Sequence, residues 1–216
     1  MLVKEANEIT GGLSNPSKMP GRAFNLSAFD CHVGSLLAKK EGSVCSGCYA
    51  RKGRYLFSNV KKAQAKRLAN LYHPQWVDAM VALINKQSPG HFRWHDSGDL
   101  QGEKHLRNIL EVVRRTPDTK HWLPTKEYGL IRQYDMRVPS PFRLKNLNIR
   151  VSVPMKNQDA PSMHLSNMTS SMVVDNVEEL RGSGVSVCPA YTQGNVCGDC
   201  RACWDRSIQV VAYPSH

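Results

Sequence analysis

The sequence lacks any apolar run long enough to cross a membrane. A spanning helix needs about 20 predominantly apolar residues, and no run in the chain approaches that length. The N-terminus, MLVKEANEITGG, also lacks the apolar core of a secretory signal peptide. These absences predict a cytoplasmic protein, in a compartment where thiols stay reduced and disulfides are disfavoured. The seven cysteines are therefore expected to serve metal or redox chemistry.

Acidic residues are scarce as well. There are 18 Asp and Glu residues against 29 Lys and Arg residues, which gives a net charge of +11. An excess of this size favours an anionic partner. Nine cations and a single acid fall within residues 39–67. Tyr49, Tyr55 and Phe57 are interleaved with the cations, a mixture typical of nucleic-acid surfaces. The candidate nucleic-acid contacts are Lys61, Lys62, Lys66 and Arg67.

Composition and length indicate one folded domain. Hydrophobic residues make up 41% of the chain and charged residues 22%, both close to the globular average, so wholesale disorder is excluded. The length suits a single domain over residues 1–216. Within it we expect an irregular lead-in and N-terminal Cys loop over 1–50, an α/β core over 51–187 and a Cys-rich cluster segment over 188–216.

Helical and strand patterns alternate through the core. Helices are predicted over about 56–72, from 74 onward, over 103–115 and near 130–134. Strands are predicted at 23–26, 91–95, 120–123, 148–153, 172–174 and 185–187. This alternation favours parallel βαβ units. Because six strands are too few for an eight-stranded barrel, the predicted α/β fold is an incomplete (β/α) barrel or an open, mostly parallel sheet.

The cysteines fall into two groups by spacing. The first group is Cys31, Cys45 and Cys48, and the second is Cys188, Cys197, Cys200 and Cys203. A CxxCxxC run with a fourth Cys nearby suits a [4Fe-4S] cubane, because each iron takes one thiolate. Tetrahedral zinc usually takes two CxxC pairs instead. We expect one or two iron–sulfur clusters, with zinc as the alternative, and the spacing leaves open how the thiols divide.

A dense polar motif, H-D-S-G-D, ends the strand predicted at 91–95. Ligands of parallel α/β folds bind outside the carboxyl ends of the strands, so this motif and Cys188 should face one mouth. The alternative role for Asp96 or Ser97 is to cap the next helix. Lys126, after the strand at 120–123, could meet an anionic ligand or be a solvated loop lysine. The candidate catalytic residues are His95, Asp96, Asp99 and Lys126.

Several motifs resemble those of a bacteriophage family labelled gene product 88-like. They are N-P-S-K-M-P, V-C-S-G-C-Y-A-R-K-G-R-Y, F-R-W-H-D-S-G-D, K-H-W-L-P-T-K, N-I-R-V-S-V and C-G-D-C-R-A-C-W, which together cover about Asn15 to Trp204. The Cys-Tyr-Ala ending of the second motif resembles the cluster loop of phage relatives of radical S-adenosylmethionine (radical SAM) proteins. The next three motifs follow the order of strands in such partial barrels.

The resemblance implies a phage-encoded iron–sulfur protein of the host cytoplasm. It implies a radical-SAM-like scaffold with Cys-rich loops at the carboxyl ends of the strands, and redox or SAM-type chemistry at an open iron. SAM itself is the less supported cofactor, because Cys31 lies 14 positions before Cys45 and departs from the usual CxxxCxxC loop. The competing hypothesis is a zinc-stabilised nucleic-acid-binding protein without catalysis.

Overall fold

A computed structural model describes residues 1–138, 142–160 and 168–215. Six α-helices and seven β-strands form within these ranges. The helices are α1 (Val3–Thr10), α2 (His32–Leu37), α3 (Ser58–Asn70), α4 (Trp76–Gln87), α5 (Glu103–Arg114) and α6 (Tyr128–Arg137). The strands are β1 (Arg22–Phe24), β2 (His91–Trp94), β3 (Lys120–Thr125), β4 (Leu147–Ser152), β5 (Met168–Val174), β6 (Ser186–Val187) and β7 (Val210–Pro214).

The strands form one sheet in the order β1-β2-β3-β4-β5-β7-β6, and every neighbouring pair is parallel. The first five strands follow chain order, and β7 then inserts between β5 and β6. Strands β1 and β6 are the two ends of this order, so the sheet is open over the described ranges. The prediction of an α/β fold with an open, parallel sheet is confirmed.

Each predicted strand and each of the four predicted helices has a counterpart, and several elements were missed. Helices α1 and α2 lie in the stretch that was predicted to be irregular. Strand β7 was also missed, and both it and β1 lie outside the 51–187 range expected to hold the α/β core. The sheet thus takes β1 from the lead-in and β7 from the C-terminal segment.

One face of the sheet packs against the helices and carries the main apolar core. Trp76 of α4 lies 6.2 Å from Trp94 of β2 between ring centroids, and Phe92 lies 4.9 Å from Trp94. All three rings are fully buried. Burying one such side chain stabilises the fold by roughly 2–3 kcal/mol. The helices in the described ranges are too short or too polar to span a membrane.

The other face of the sheet carries both polar and apolar side chains and lies under the C-terminal segment. Side chains alternate between faces along a strand, so Arg93, Trp122 and Arg150 point away from the helices. The Arg150 guanidinium is fully buried, and it donates hydrogen bonds to the carbonyls of Ser170 at 2.7 Å and Ala202 at 3.0 Å. Arg150 thereby fastens the Cys-rich segment to the sheet.

Candidate functional site

The N-terminal cysteine site, defined as Cys31, Cys45 and Cys48, follows β1 in the chain. Cys31 directly precedes α2, and the other two cysteines lie in the loop after α2. Two of the sulfurs border the same space, because a Cβ built on Gly34 would lie 3.5 Å from Cys31 Sγ and 3.7 Å from Cys45 Sγ. Gly34 therefore allows a close approach of the backbone to Cys31, at a position that both sulfurs border.

The loop that carries Cys45 and Cys48 is attached to the chain beyond β4. Ser43 forms an antiparallel bridge with Met155, and the next backbone N–H donates to the Pro154 carbonyl at 2.9 Å. Within the loop, Cys48 N–H donates to the Cys45 carbonyl at 3.2 Å, which closes the tight turn that the spacing predicts. The site thus gathers residues from after β1 and after β4.

Burial and neighbouring charges control the thiols of this site. Burial raises the pKa of Cys31 to about 12, and the negative charges of Asp99 and of the other two thiolates act in the same direction. Burial also raises the pKa of Cys45, whereas Lys126 is the strongest opposing charge. These two thiols hold their protons at neutral pH, so a metal that binds here must displace protons.

Asp99 borders the same site and is held by the chain after β3. Its carboxylate accepts hydrogen bonds from Thr125 Oγ1 at 2.6 Å and from the backbone N–H of Lys126 at 2.8 Å. Burial raises the pKa of Asp99 to about 6, although these hydrogen bonds lower it. The structure therefore brings Asp99 and Lys126, two of the predicted residues, to the N-terminal cysteine site.

Glu127 also connects to this site and was missed from the sequence. Its carboxylate accepts a hydrogen bond from the backbone N–H of Val33 at 2.9 Å and so joins the start of α6 to the start of α2. Glu127 is buried. The available signal was its position next to Lys126 at the end of a strand.

Asp96 binds the lead-in of the chain and does not cap a helix. Its buried carboxylate accepts hydrogen bonds from Ser14 Oγ at 3.1 Å, Asn25 Nδ2 at 3.2 Å and the Tyr55 hydroxyl at 3.2 Å. Helix α5 starts at residue 103, and its N-cap is Gly102. The alternative that Asp96 or the following serine caps the next helix is therefore wrong.

His95 lies on the helix side of the sheet. Its ring packs against His105 of α5, with 5.3 Å between centroids, and both ring nitrogens lack a hydrogen-bond partner among the described residues. Burial lowers the pKa of His95 well below its ordinary value, and the His105 charge acts in the same direction. His95 is thus directed into the core, away from the hydrogen bonds that hold Asp96 and Asp99.

Gly98 lets the H-D-S-G-D loop approach the end of β1 closely. Ser97 Oγ donates to the Leu26 carbonyl at 2.7 Å, and Leu26 N–H donates to the Ser97 carbonyl at 3.1 Å. Gly98 has φ +78°, and a Cβ built on it would lie 2.6 Å from Leu26 Cβ and 2.9 Å from Leu26 O. Only glycine satisfies both the backbone conformation and the close contact.

We expect Gly98→Ala to destabilise the protein by about 3 kcal/mol, because it combines a left-handed backbone with overpacking. Gly90→Ala is the matched control, since Gly90 has φ +90° and nothing within 4 Å of the added Cβ. The control should cost only about 1 kcal/mol. Urea unfolding of both variants measures the difference, and equal losses would show that the Leu26 contact does not matter.

The C-terminal cysteine site is defined as Cys188, Cys197, Cys200 and Cys203. Cys188 directly follows β6, and its backbone N–H donates to the Ala212 carbonyl at 2.9 Å. Burial raises the pKa of Cys197, and the charges of Cys188 and Cys200 act with it. Burial raises the pKa of Cys203 to about 11, and the hydrogen bond with the Tyr213 hydroxyl, 3.1 Å away, opposes that rise.

The segment that carries the last three cysteines lies across the face of the sheet that is opposite the helices. Trp204 Nε1 donates to the Phe92 carbonyl at 2.9 Å, and the Trp204 ring lies 5.3 Å from the Trp122 ring. Asn148 Nδ2 donates to the Cys203 carbonyl at 2.9 Å. Most of this segment is therefore on the face of the sheet, and a mouth shared by Cys188 and the H-D-S-G-D motif stays a prediction.

Arg93 stands between the two cysteine sites, and the sequence alone did not single it out. Its guanidinium lies over the Trp122 ring, 4.3 Å from the centroid. The Tyr49 ring is partly exposed, but its hydroxyl donates to the carbonyl of buried Asp96. Burial of this hydroxyl raises the pKa of Tyr49, and the positive charge of Arg93 opposes this. The same charge lowers the pKa of Cys203, although burial dominates there. One cation thus acts on groups at both sites.

The predicted nucleic-acid contacts divide between surface and interior. Lys61, Lys62 and Lys66 are exposed on α3. Arg67 is buried, where it donates to the Gly12 carbonyl at 2.9 Å and also contacts the Asn25 side chain. Arg67 therefore fastens the lead-in to α3, which corrects its assignment as a surface contact.

In the described ranges, no group of three or more His, Cys, Asp or Glu side chains is placed to hold a metal ion. Beyond the larger effect of burial, the charges of Cys45 and Cys48 raise the pKa of Cys31. In the same way, the charges of Cys188 and Cys200 raise the pKa of Cys197. The division of the seven thiols among clusters stays a prediction.

Comparison with known proteins gives one match. The model of a protein family described as "Gene product 88" matches residues 2–206. No curated protein and no solved structure matches the chain. The match covers nearly the whole sequence, including both cysteine sites, whereas the likeness to radical SAM proteins stays a prediction.

Proposed function

We propose that this chain, which belongs to the gene product 88 family, is an iron–sulfur protein with two separate thiolate sites. The observation that carries the proposal is that the sulfurs of Cys31 and Cys45 border the same position beside Gly34, together with the spacing of the seven cysteines in a group of three and a group of four. Free cysteines without a shared role would have no reason to converge in this way. The three-plus-four division matches one cubane with an open iron and one cubane with four thiolates.

The surroundings of both sites suit an anionic cluster. Arg51 and Lys126 lower the pKa of thiols in the N-terminal site, against the larger effect of burial. Lys18 and Arg201 do the same for Cys197. These cations would offset the negative charge that thiolate ligands bring.

Cysteine spacing favours a cluster over zinc. A CxxCxxC run with a fourth Cys nearby gives each iron of a cubane one thiolate, whereas tetrahedral zinc usually takes two CxxC pairs. Zinc remains the outcome that would contradict the proposal.

At the N-terminal site, Cys31, Cys45 and Cys48 would hold the cluster. When bound, a cubane with an open iron would supply redox or SAM-type chemistry there. Asp99 would hold or release a proton near neutral pH, since its pKa is raised to about 6. The open parallel sheet, with this site following β1, supports the radical-SAM-like part of the proposal.

The test is elemental analysis of protein purified without oxygen. We expect about four irons and four acid-labile sulfides per cluster, with two clusters when both sites are full, and the visible absorption of thiolate-bound clusters. A colourless protein with stoichiometric zinc and no sulfide would contradict the proposal.

Gly34→Ala separates cluster binding from folding. The added Cβ would lie 2.9 Å from Cys31 Cβ and would push Cys31 away from its place beside Cys45, so iron at the N-terminal site should fall at least about twofold. Gly129→Ala in α6 is the matched control, because nothing lies within 4 Å of its added Cβ. Iron content and urea unfolding are measured together. An unchanged iron content in Gly34→Ala would show that cluster binding does not depend on the close approach of Gly34 to Cys31.

A further inference from the structure

A surface next to the N-terminal cysteine site combines exposed cations with exposed aromatic rings. Its members, which we call the basic-aromatic surface, are Phe29, Tyr49, Lys52, Arg54, Phe57, Lys61, Lys62 and Lys66. The three rings are unusually open for aromatic side chains: Phe29 is 56% exposed, Tyr49 is 48% and Phe57 is 59%. Rings of this size are normally buried, so this exposure indicates a surface that meets a partner.

The members of this surface lie on consecutive elements that contact one another. The Arg51 guanidinium lies over the Phe29 ring, 4.9 Å from its centroid, and so joins the chain before α2 to the turn after Cys48. The Tyr49 and Tyr55 rings lie 5.8 Å apart. Phe57 is the N-cap of α3 and accepts a backbone hydrogen bond from Lys61, one turn into the helix. The rings therefore lead directly to the exposed lysines of α3.

The cations of this surface are not neutralised by ion pairs among the described residues. Across the described ranges, Lys52, Arg54 and the three exposed lysines of α3 take part in no ion pair. Helix α3 contains no acidic residue. The positive charges that act on the neighbouring thiols come from Arg51 and Lys126. The positive charge of the surface is thus available to a partner outside the chain.

We infer that the basic-aromatic surface binds single-stranded nucleic acid. Lysines on one helix attract the phosphate backbone, and exposed rings provide faces on which unpaired bases stack. A duplex keeps its bases stacked inside and would leave the rings without a role. An anionic membrane fits less well, since the exposed face of α3 is lysine-rich and has no apolar stripe. The inference does not depend on which metal the cysteines bind.

The test measures fluorescence anisotropy of labelled single-stranded DNA and RNA of about 20 nucleotides, longer than the 4–16 nucleotides of typical single-strand sites. The protein is used as purified, with its metal retained. We expect binding that weakens steeply with salt. Lys61→Glu, Lys62→Glu and Lys66→Glu together should weaken binding at least about tenfold and reduce the salt slope by roughly 2, because each phosphate contact contributes about 0.7.

Two further variants distinguish stacking and surface position from net charge. Phe57→Ala should weaken binding roughly tenfold without changing the salt slope, as the loss of one stacked base predicts. A control with the same change in net charge but on other elements combines Arg107→Glu, Arg132→Glu and Lys145→Glu, all at exposed positions. This control should retain most of the affinity.

Three outcomes would overturn the inference. The first is an equal loss of affinity in the two triple variants, which would show that net charge alone explains the binding. The second is a duplex that competes as well as the single strand of the same sequence. The third is binding to phosphatidylserine vesicles but to neither oligonucleotide, which would identify a membrane surface instead. Comparison of DNA with RNA shows which polymer supplies the strand. Iron content, measured on the same samples, separates this result from the cluster proposal.

Discussion

Replacing Cys45 by Ala should remove the iron of the N-terminal cysteine site and leave the C-terminal site loaded. Cys200→Ala should do the reverse. The reason is that the thiols whose charges shift the pKa values of Cys31, Cys45 and Cys197 most strongly all belong to the same group as the cysteine they act on. A cluster that loses one of three or four thiolates is normally lost or becomes labile. Each variant should therefore keep about half of the iron and sulfide of the unaltered protein.

His32→Ala is the matched control for these substitutions. His32 lies next to Cys31 and is exposed, so its loss should leave iron, sulfide and visible absorption unchanged. Loss of all iron from a single cysteine substitution would instead indicate one cluster shared between the two groups. Full iron content in Cys45→Ala would remove that residue from the ligand set.

Acid should destabilise the protein strongly between pH 6.5 and pH 4.5. His105 and His121 are fully buried, and burial lowers the pKa of each to about 3. The unfolded chain protonates these rings near pH 6.5, so their contribution to stability is complete above that pH and is lost as the pH falls toward 3. At pH 4.5 each ring costs about 3 kcal/mol, because one pH unit corresponds to about 1.4 kcal/mol.

Asp99 acts in the opposite direction. Its pKa is raised to about 6 in the folded protein, so the folded state gains its proton first as the pH falls. Between pH 6 and pH 4.5 this protonation stabilises the folded state by about 2 kcal/mol. Since the two histidines together cost about 6 kcal/mol, the net loss of unfolding free energy is about 4 kcal/mol. His95, also buried with a lowered pKa, would add to the loss.

Urea unfolding as a function of pH measures this effect. His105→Leu should remove about one proton from the dependence of the unfolding free energy on pH, because the substituted side chain cannot titrate. His32→Leu replaces an exposed histidine and should leave most of that dependence in place. An unfolding free energy that stays constant from pH 6.5 to 4.5 would contradict the assignment of neutral, buried rings.

Local patterns predicted most of the regular elements. Leu106, Ile109, Leu110 and Val113 of α5 repeat at helical spacing, and all four are buried. Strand β4 was the clearest strand in the sequence and lies inside the sheet. Helix α2 was missed because it has only six residues and contains Gly34. Strand β7 was missed because it follows a Cys-rich loop with no repeating pattern.

The candidate site residues show the same difference between local patterns, which the sequence displays, and long-range contacts, which it does not. Cysteine spacing selected all seven thiols, since close pairs are a local feature. Arg93 and Glu127 were missed, because their roles come from contacts with residues 29 to 94 positions away in the chain. Arg67 was assigned to the surface from its place in a basic stretch, but a long-range contact with Gly12 holds it inside.

The sequence by itself determined the α/β class and the parallel strands, and it left an incomplete barrel and an open sheet as alternatives. These features follow from short-range periodicity, which one chain segment displays alone. Only the tertiary structure decided that the sheet is open, that β7 lies between β5 and β6, and that Asp99 and Lys126 lie near the N-terminal cysteine site while His95 turns to the core. Pairing of parallel strands and burial of side chains depend on segments far apart in the chain, and local patterns carry no record of that pairing.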